Sequence, residues 1–84
     1  MAYRIELRPA AMRALRKIDP GHRTRIQAAI SLLATNPRPP SAIGLRGRDG
    51  LRIRVGEYRI IYTVQDEVLL VVIVTLGHRK DVYR

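Results

Sequence analysis

Residues 51–62 read Leu51-Arg52-Ile53-Arg54-Val55-Gly56-Glu57-Tyr58-Arg59-Ile60-Ile61-Tyr62. Apolar and basic residues alternate on both sides of a Gly-X pair, the pattern of two half-buried strands joined by a tight turn. Glycine at the first central position suits a type II′ turn, and a two-residue turn sets the register. Val55 then faces Tyr58, Arg54 faces Arg59, Ile53 faces Ile60 and Arg52 faces Ile61. Leu51, Ile53, Val55, Tyr58, Ile60 and Tyr62 share one face, which has to be buried. Arg52, Arg54 and Arg59 share the other. Like charges directly opposite on adjacent strands destabilise a sheet, so this face calls for an anion. Glu57, the only acid between residues 51 and 65, has the side-chain parity of Arg59 but supplies a single charge.

Toward the C-terminus, Asp66-Glu67 makes a turn, and Val68 to Leu76 is apolar on both faces apart from Thr75, as a central buried strand should be. Gly77 ends it and a basic tail follows, His78-Arg79-Lys80-Asp81-Val82-Tyr83-Arg84. The far end of that strand is expected to deliver His78, Arg79 and Tyr83 near the arginine face. An aromatic ring among cations is the pattern that stacks a base while phosphates are held.

Toward the N-terminus, Pro37 to Gly44 carries three prolines and reads as a stiff crossing from a helix to the sheet. Before it, Ile26, Ala29, Ile30 and Leu33 form one stripe of a helix that begins at Asp19-Pro20 and runs to about Thr35. Pro9 opens a shorter helix with Ala11, Ala14, Leu15 and Ile18 at helical spacing. Almost no loop separates the two, so they form a helical hairpin. Tyr3, Ile5 and Leu7 alternate with charged residues as a strand does. The expected fold is α+β: an N-terminal strand, a helical hairpin, then an antiparallel three-strand meander, with both helices packed on one face of the sheet. Eighty-four residues allow one domain, spanning 1–84.

Composition narrows the function. Sixteen Lys+Arg against seven Asp+Glu give a net charge of +9, and 14 of the cations are Arg, whose planar fork matches phosphate. A polyanionic partner follows. With no cysteine, thiol chemistry and thiolate metal sites are excluded. His22 and His78 lie far apart without carboxylates at ligand spacing, so neither a metal nor a cofactor is expected. No Ser-His-Asp set assembles around Ser31 or Ser41, and the glycines follow no phosphate-loop pattern. His22 is expected to be exposed in the first turn of the second helix, whereas His78 is placed to donate a proton or touch a phosphate. No apolar run approaches the roughly 20 residues of a membrane span, and Arg4, Glu6 and Arg8 interrupt any leader-like segment. A soluble, cytoplasmic protein is expected.

The 51–62 block, the Leu45-Arg46-Gly47 before it, and the closing Gly77-His78-Arg79-Lys80-Asp81-Val82-Tyr83 together resemble the RelE branch of the RelE/ParE toxin superfamily. The likeness extends over essentially the whole chain, including the opening strand and the helical pair. It implies the toxin of a type II toxin–antitoxin pair: a ribosome-dependent endoribonuclease, or mRNA interferase, that cleaves mRNA in the ribosomal A site without metal and so inhibits translation. The family's catalytic positions fall on Arg52, Arg54, Arg59, Arg79 and Tyr83. Arg46, Arg48, His78 and Lys80 are read as contacts to RNA and the ribosome. The implied partners are a cognate acidic antitoxin protein and the ribosome with its mRNA, with operator DNA reached only through the antitoxin and no membrane. Lys is frequent in the family at the first two positions; Arg at both removes a general base, because guanidinium stays protonated. Val82 stands where some relatives carry His. A ParE-like toxin that inhibits DNA gyrase, or an inactive homologue that only binds antitoxin, is the alternative reading.

Overall fold

A computed structural model describes residues 2–80, in the order β1 (Arg4–Leu7), α1 (Pro9–Lys17), α2 (Pro20–Leu33), β2 (Ile43–Gly44), β3 (Leu51–Val55), β4 (Tyr58–Gln65), a 3₁₀ turn (Asp66–Val68) and β5 (Leu70–His78). The sheet order is β1-β5-β4-β3-β2, with β1 parallel to β5 and every other pairing antiparallel. The architecture is the expected α+β arrangement of two helices on one face of a sheet, and the sheet has five strands. The additional strand, β2, lies inside the stretch read as a crossing. It pairs Ile43 with Arg52 and Gly44 with Leu51, and two residues are too few to show a period.

Both helices begin on a proline at the first helical position, where the missing N–H is no loss. Asp19 occupies the N-cap of α2, but its side chain makes no capping hydrogen bond; it lies 3.8 Å from His22 instead. The sharp junction between the helices is closed by Arg23. Its guanidinium donates to the carbonyls of Arg16 at 3.1 Å and Ile18 at 2.8 Å, placing a cation at the negative end of α1.

The core joins Ala11, Ile18, Ile26, Ile30 and Leu33 of the helical layer to Ile53, Ile60, Tyr62, Val71, Ile73 and Leu76 of the sheet. Tyr62 is fully buried and its hydroxyl donates to the Pro37 carbonyl at 2.7 Å, which seats the proline crossing. Asp66 fixes the same end of the sheet: it receives two hydrogen bonds from the Arg38 guanidinium, at 3.1 and 2.9 Å, and one from the Tyr3 hydroxyl at 2.6 Å. These donors, Arg38 foremost, lower the Asp66 carboxyl to about 2. The Asp66 carboxylate in turn raises Tyr3, and burial raises Tyr62.

One irregularity governs the other end. From Tyr58↔His78 to Ile61↔Thr75 the β4–β5 pairing is regular, yet Tyr62 pairs with Ile73, leaving Val74 as an extra residue in β5. Such a bulge reverses side-chain parity beyond it. Val71, Ile73 and Leu76 consequently all reach the helical core.

Candidate nucleic-acid interface

The hairpin forms with the register expected from its sequence: Val55↔Tyr58, Arg54↔Arg59, Ile53↔Ile60 and Arg52↔Ile61. Gly56 has φ +61 and Glu57 does not share a positive φ, as a type II′ turn requires. In a hairpin closed by Val55 and Tyr58, Arg54 and Arg59 form a non-hydrogen-bonded pair, the kind whose Cα atoms stand about 4.5 Å apart with side chains closest. Two guanidinium-bearing residues are therefore set side by side on the face away from the helices. Arg52 follows on the same face, flanked by Ile61 and Ile43. Arg54 is exposed, and Arg52 and Arg59 are half-buried.

Arg79 joins this end of the sheet. Its backbone N–H donates to the Glu57 carbonyl at 2.8 Å, extending the β4–β5 ladder past the Arg59↔Gly77 pair. Its Nε lies 2.8 Å from a Glu57 carboxylate oxygen. Both side chains are about half exposed.

His78 departs from the expected placement. It pairs with Tyr58 and so lies on the side of the helices, with its ring 6.0 Å from the Tyr58 ring at a near-perpendicular angle. The His22 ring stands 5.2 Å from the same tyrosine. The cause is the extra residue Val74. Had β5 continued regularly beyond Ile73, His78 would share a face with Arg59, and Arg79 would not. His22 is exposed in the first turn of α2, as expected.

Arg46 and Arg48 are exposed in the turn between β2 and β3, which Leu45 closes by donating its N–H to the Gly50 carbonyl at 3.1 Å. That turn joins β3 at Leu51, three residues or about 10 Å from Arg54. The structure thus brings Arg54, Arg59 and Arg79 to the hairpin end of the sheet, sets Arg52 two residues further along the same face, and puts Arg46 and Arg48 in the turn beyond Leu51. Lys80 is exposed, its N–H donating to His78 Nδ1 at 3.3 Å. Tyr83 lies outside the described residues. Among the described residues, no three His, Asp or Glu side chains gather as a metal site would require, and no helix is long and apolar enough to cross a membrane.

Two features of this region escape sequence reading. The Glu57–Arg79 pair spans 22 residues and depends on the bulge; parity alone gives Glu57 only the side of the strand that Arg59 occupies. Arg25, on α2, reaches the hairpin turn, its guanidinium about 3.4 Å from where a Cβ on Gly56 would sit. That approach has no local signal in sequence.

Known proteins share both sequence and architecture. The family described as "ParE toxin of type II toxin-antitoxin system, parDE" matches residues 5–83. Toxin RelG of Mycobacterium tuberculosis is 36% identical over 90 residues, which cover 100% of this chain and 99% of the relative. The RelE–RelB complex from Pyrococcus horikoshii contains a chain that superposes with a TM-score of 0.81 at 26% identity, covering 96% of this chain and 99% of that one. The isolated Escherichia coli RelE toxin also gives 0.81 at 26% identity, covering 92% and 84% respectively. With the profile spanning nearly the whole sequence and RelE structures matching the fold, the chain belongs to the ParE toxin family of type II toxin–antitoxin systems, within its RelE-like branch.

Proposed function

We propose that this RelE-like toxin is a ribosome-dependent endoribonuclease that cleaves mRNA in the ribosomal A site, with the arginine-bearing face of the sheet as its RNA site. The observation that carries this reading is the direct Arg54↔Arg59 pairing on the face opposite the helices, a like-charge arrangement that a bound phosphate relieves. In metal-free cleavage the 2′-hydroxyl loses its proton to water and attacks the adjacent phosphorus, the bond to the 5′-oxygen breaks and that oxygen takes up a proton, and negative charge builds on the phosphoryl oxygens in between. Arginines fixed beforehand on a rigid hairpin stabilise that charge without reorganising. In this reading Arg59 and Arg79 clamp the phosphate, Arg52 and Arg54 face the developing charge and the nucleophile, and Tyr83 stacks on a base. None of the four arginines can accept the 2′-hydroxyl proton, so the ribosome contributes positioning of the attack.

The partner reading is a cognate acidic antitoxin, and solved neighbours of this fold include toxin–antitoxin complexes. A +9 surface accelerates association with an acidic segment. A cavity of about 370 Å³ between α2 and β3, lined by Ala29, Leu32, Leu33, Pro39, Ile53 and Arg54, offers seats for its apolar anchors. Operator DNA is then contacted through the antitoxin.

The purified toxin added to a translating cell-free extract should cut mRNA within codons, as mapped by primer extension, and leave the same RNA largely intact without ribosomes. Equal cutting of both would remove the ribosome from the reading. Because the matching family is described by ParE, gyrase inhibition is the second reading. Unimpaired translation with inhibited supercoiling would establish it.

A further inference from the structure

The hairpin's own turn carries a carboxylate, Glu57. Glu57 stands two residues before Arg59, receives the backbone N–H of Arg79 on its carbonyl and meets Arg79 Nε with its side chain, each at 2.8 Å. The backbone bond fixes where Arg79 enters the site whether or not the carboxylate is present. The side-chain pair itself is about half exposed, and exposed ion pairs add little to stability. Its consequence therefore falls on the site. A carboxylate presents two oxygens to a guanidinium much as a phosphate does, and Glu57 is the only acid in residues 51–65.

We infer that Glu57 is a displaceable internal counter-ion of the phosphate site, holding Arg79 at the arginine pair in the free toxin and giving it up when an RNA phosphate arrives. The inference rests on the reading of this face as an RNA site. It makes Glu57 a positioning residue that acts through Arg79. Wild-type binding then includes an exchange of one anion for another at Arg79, with fewer solution counter-ions released than the number of arginines implies.

The test measures binding of a short fluorescent single-stranded RNA, 2′-O-methylated to prevent cleavage, by anisotropy over a series of KCl concentrations. The proteins are wild type, Glu57→Gln, Arg79→Ala, Arg59→Ala and the double variant Glu57→Gln/Arg79→Ala. Glu57→Gln should bind roughly two- to five-fold more tightly at low salt, the range set by one exposed ion pair. Its plot of log affinity against log salt should be steeper by up to about 0.7, the equivalent of one charge on a single strand, because the site then carries one more net positive charge. Both changes should vanish in the double variant relative to Arg79→Ala. Unchanged or weaker binding, an unchanged slope, or a gain that survives loss of Arg79 overturns the inference. Arg59→Ala separates the levels. If it loses affinity while Glu57→Gln changes nothing, the RNA site stands and only the counter-ion falls; if it binds like wild type, both fall.

Discussion

Along β4, one face packs on the helices and the other carries Arg59. Ile60 and Tyr62 are fully buried against the helical layer, with the only polar atom of the Tyr62 side chain bonded to Pro37. On the reverse side Arg59 meets Arg54 across the hairpin, and the acid at the turn is held by Arg79. The apolar face minimises its free energy by folding, since burying aliphatic surface is favourable with no further partner. The basic face sets like charges opposite one another, which folding brings together rather than separates. A strand can thus serve stability and recognition together, provided that alternation keeps the two on opposite sides.

The most damaging way to break this division is Ile60→Ala. It empties a fully buried site and should cost roughly 2–5 kcal/mol, a large share of a small domain's stability, measured as a shift of the denaturant midpoint. Arg59→Ala should do the reverse. Ribosome-dependent cleavage should fall by about 100-fold or more, the scale for removing one preorganised donor to transition-state charge. The melting temperature should move far less than for Ile60→Ala, because relief of a directly opposed like-charge pair, worth ~0.2–1 kcal/mol, offsets the loss of Arg59's own contacts. A much lower melting temperature for Arg59→Ala than for Ile60→Ala would show the faces to be assigned backwards.

The smallest effect sharpens the comparison at the far end of the strand, where Asp66 is a second exposed acid bound to arginine. Its two bonds from Arg38 and one from Tyr3 make it part of a structural clasp. The carboxyl is lowered to about 2 in the folded chain from an unfolded value of about 3.9. Its contribution is therefore complete above the unfolded value and is lost as pH falls through about 2. Asp66→Asn should lower the melting temperature modestly at neutral pH, and the gap to wild type should close between about pH 4 and pH 2. RNA binding should not change, in contrast to Glu57→Gln. A gap that persists at pH 2 would show that packing, not ionisation, underlies the clasp.

Much of this was legible in the sequence because it is written in short periods. The alternation around Gly56-Glu57 fixed a register that the structure repeats residue for residue, and two proline starts marked both helices. What escaped has no period to read. Strand β2 has two residues. The run from Leu69 to Ile73 is apolar throughout, so sequence gives no reason to place an extra residue at Val74 rather than elsewhere. That one position decides which tail residues reach the arginine face, and it is why Arg79 reaches it and His78 does not. The ion pairs of Asp66 and Glu57 join residues far apart in the chain and depend on tertiary placement. As for the proposed RNA site, the structure places the four arginines on one face of the sheet, and the assignment of their roles comes from the family resemblance.

The bulge at Val74 works like a frame shift in a coded message. Upstream of it, β5 is read in one frame by the helices, and downstream in the other, although the backbone runs on as one strand. The segment from Leu76 to Arg79 can therefore exchange its inward and outward residues wholesale through a change of a single residue, leaving the core pairs Val71–Val64 and Ile73–Tyr62 in place. A lineage could gain or silence the fourth arginine by insertion or deletion in the strand, with no substitution at the site itself.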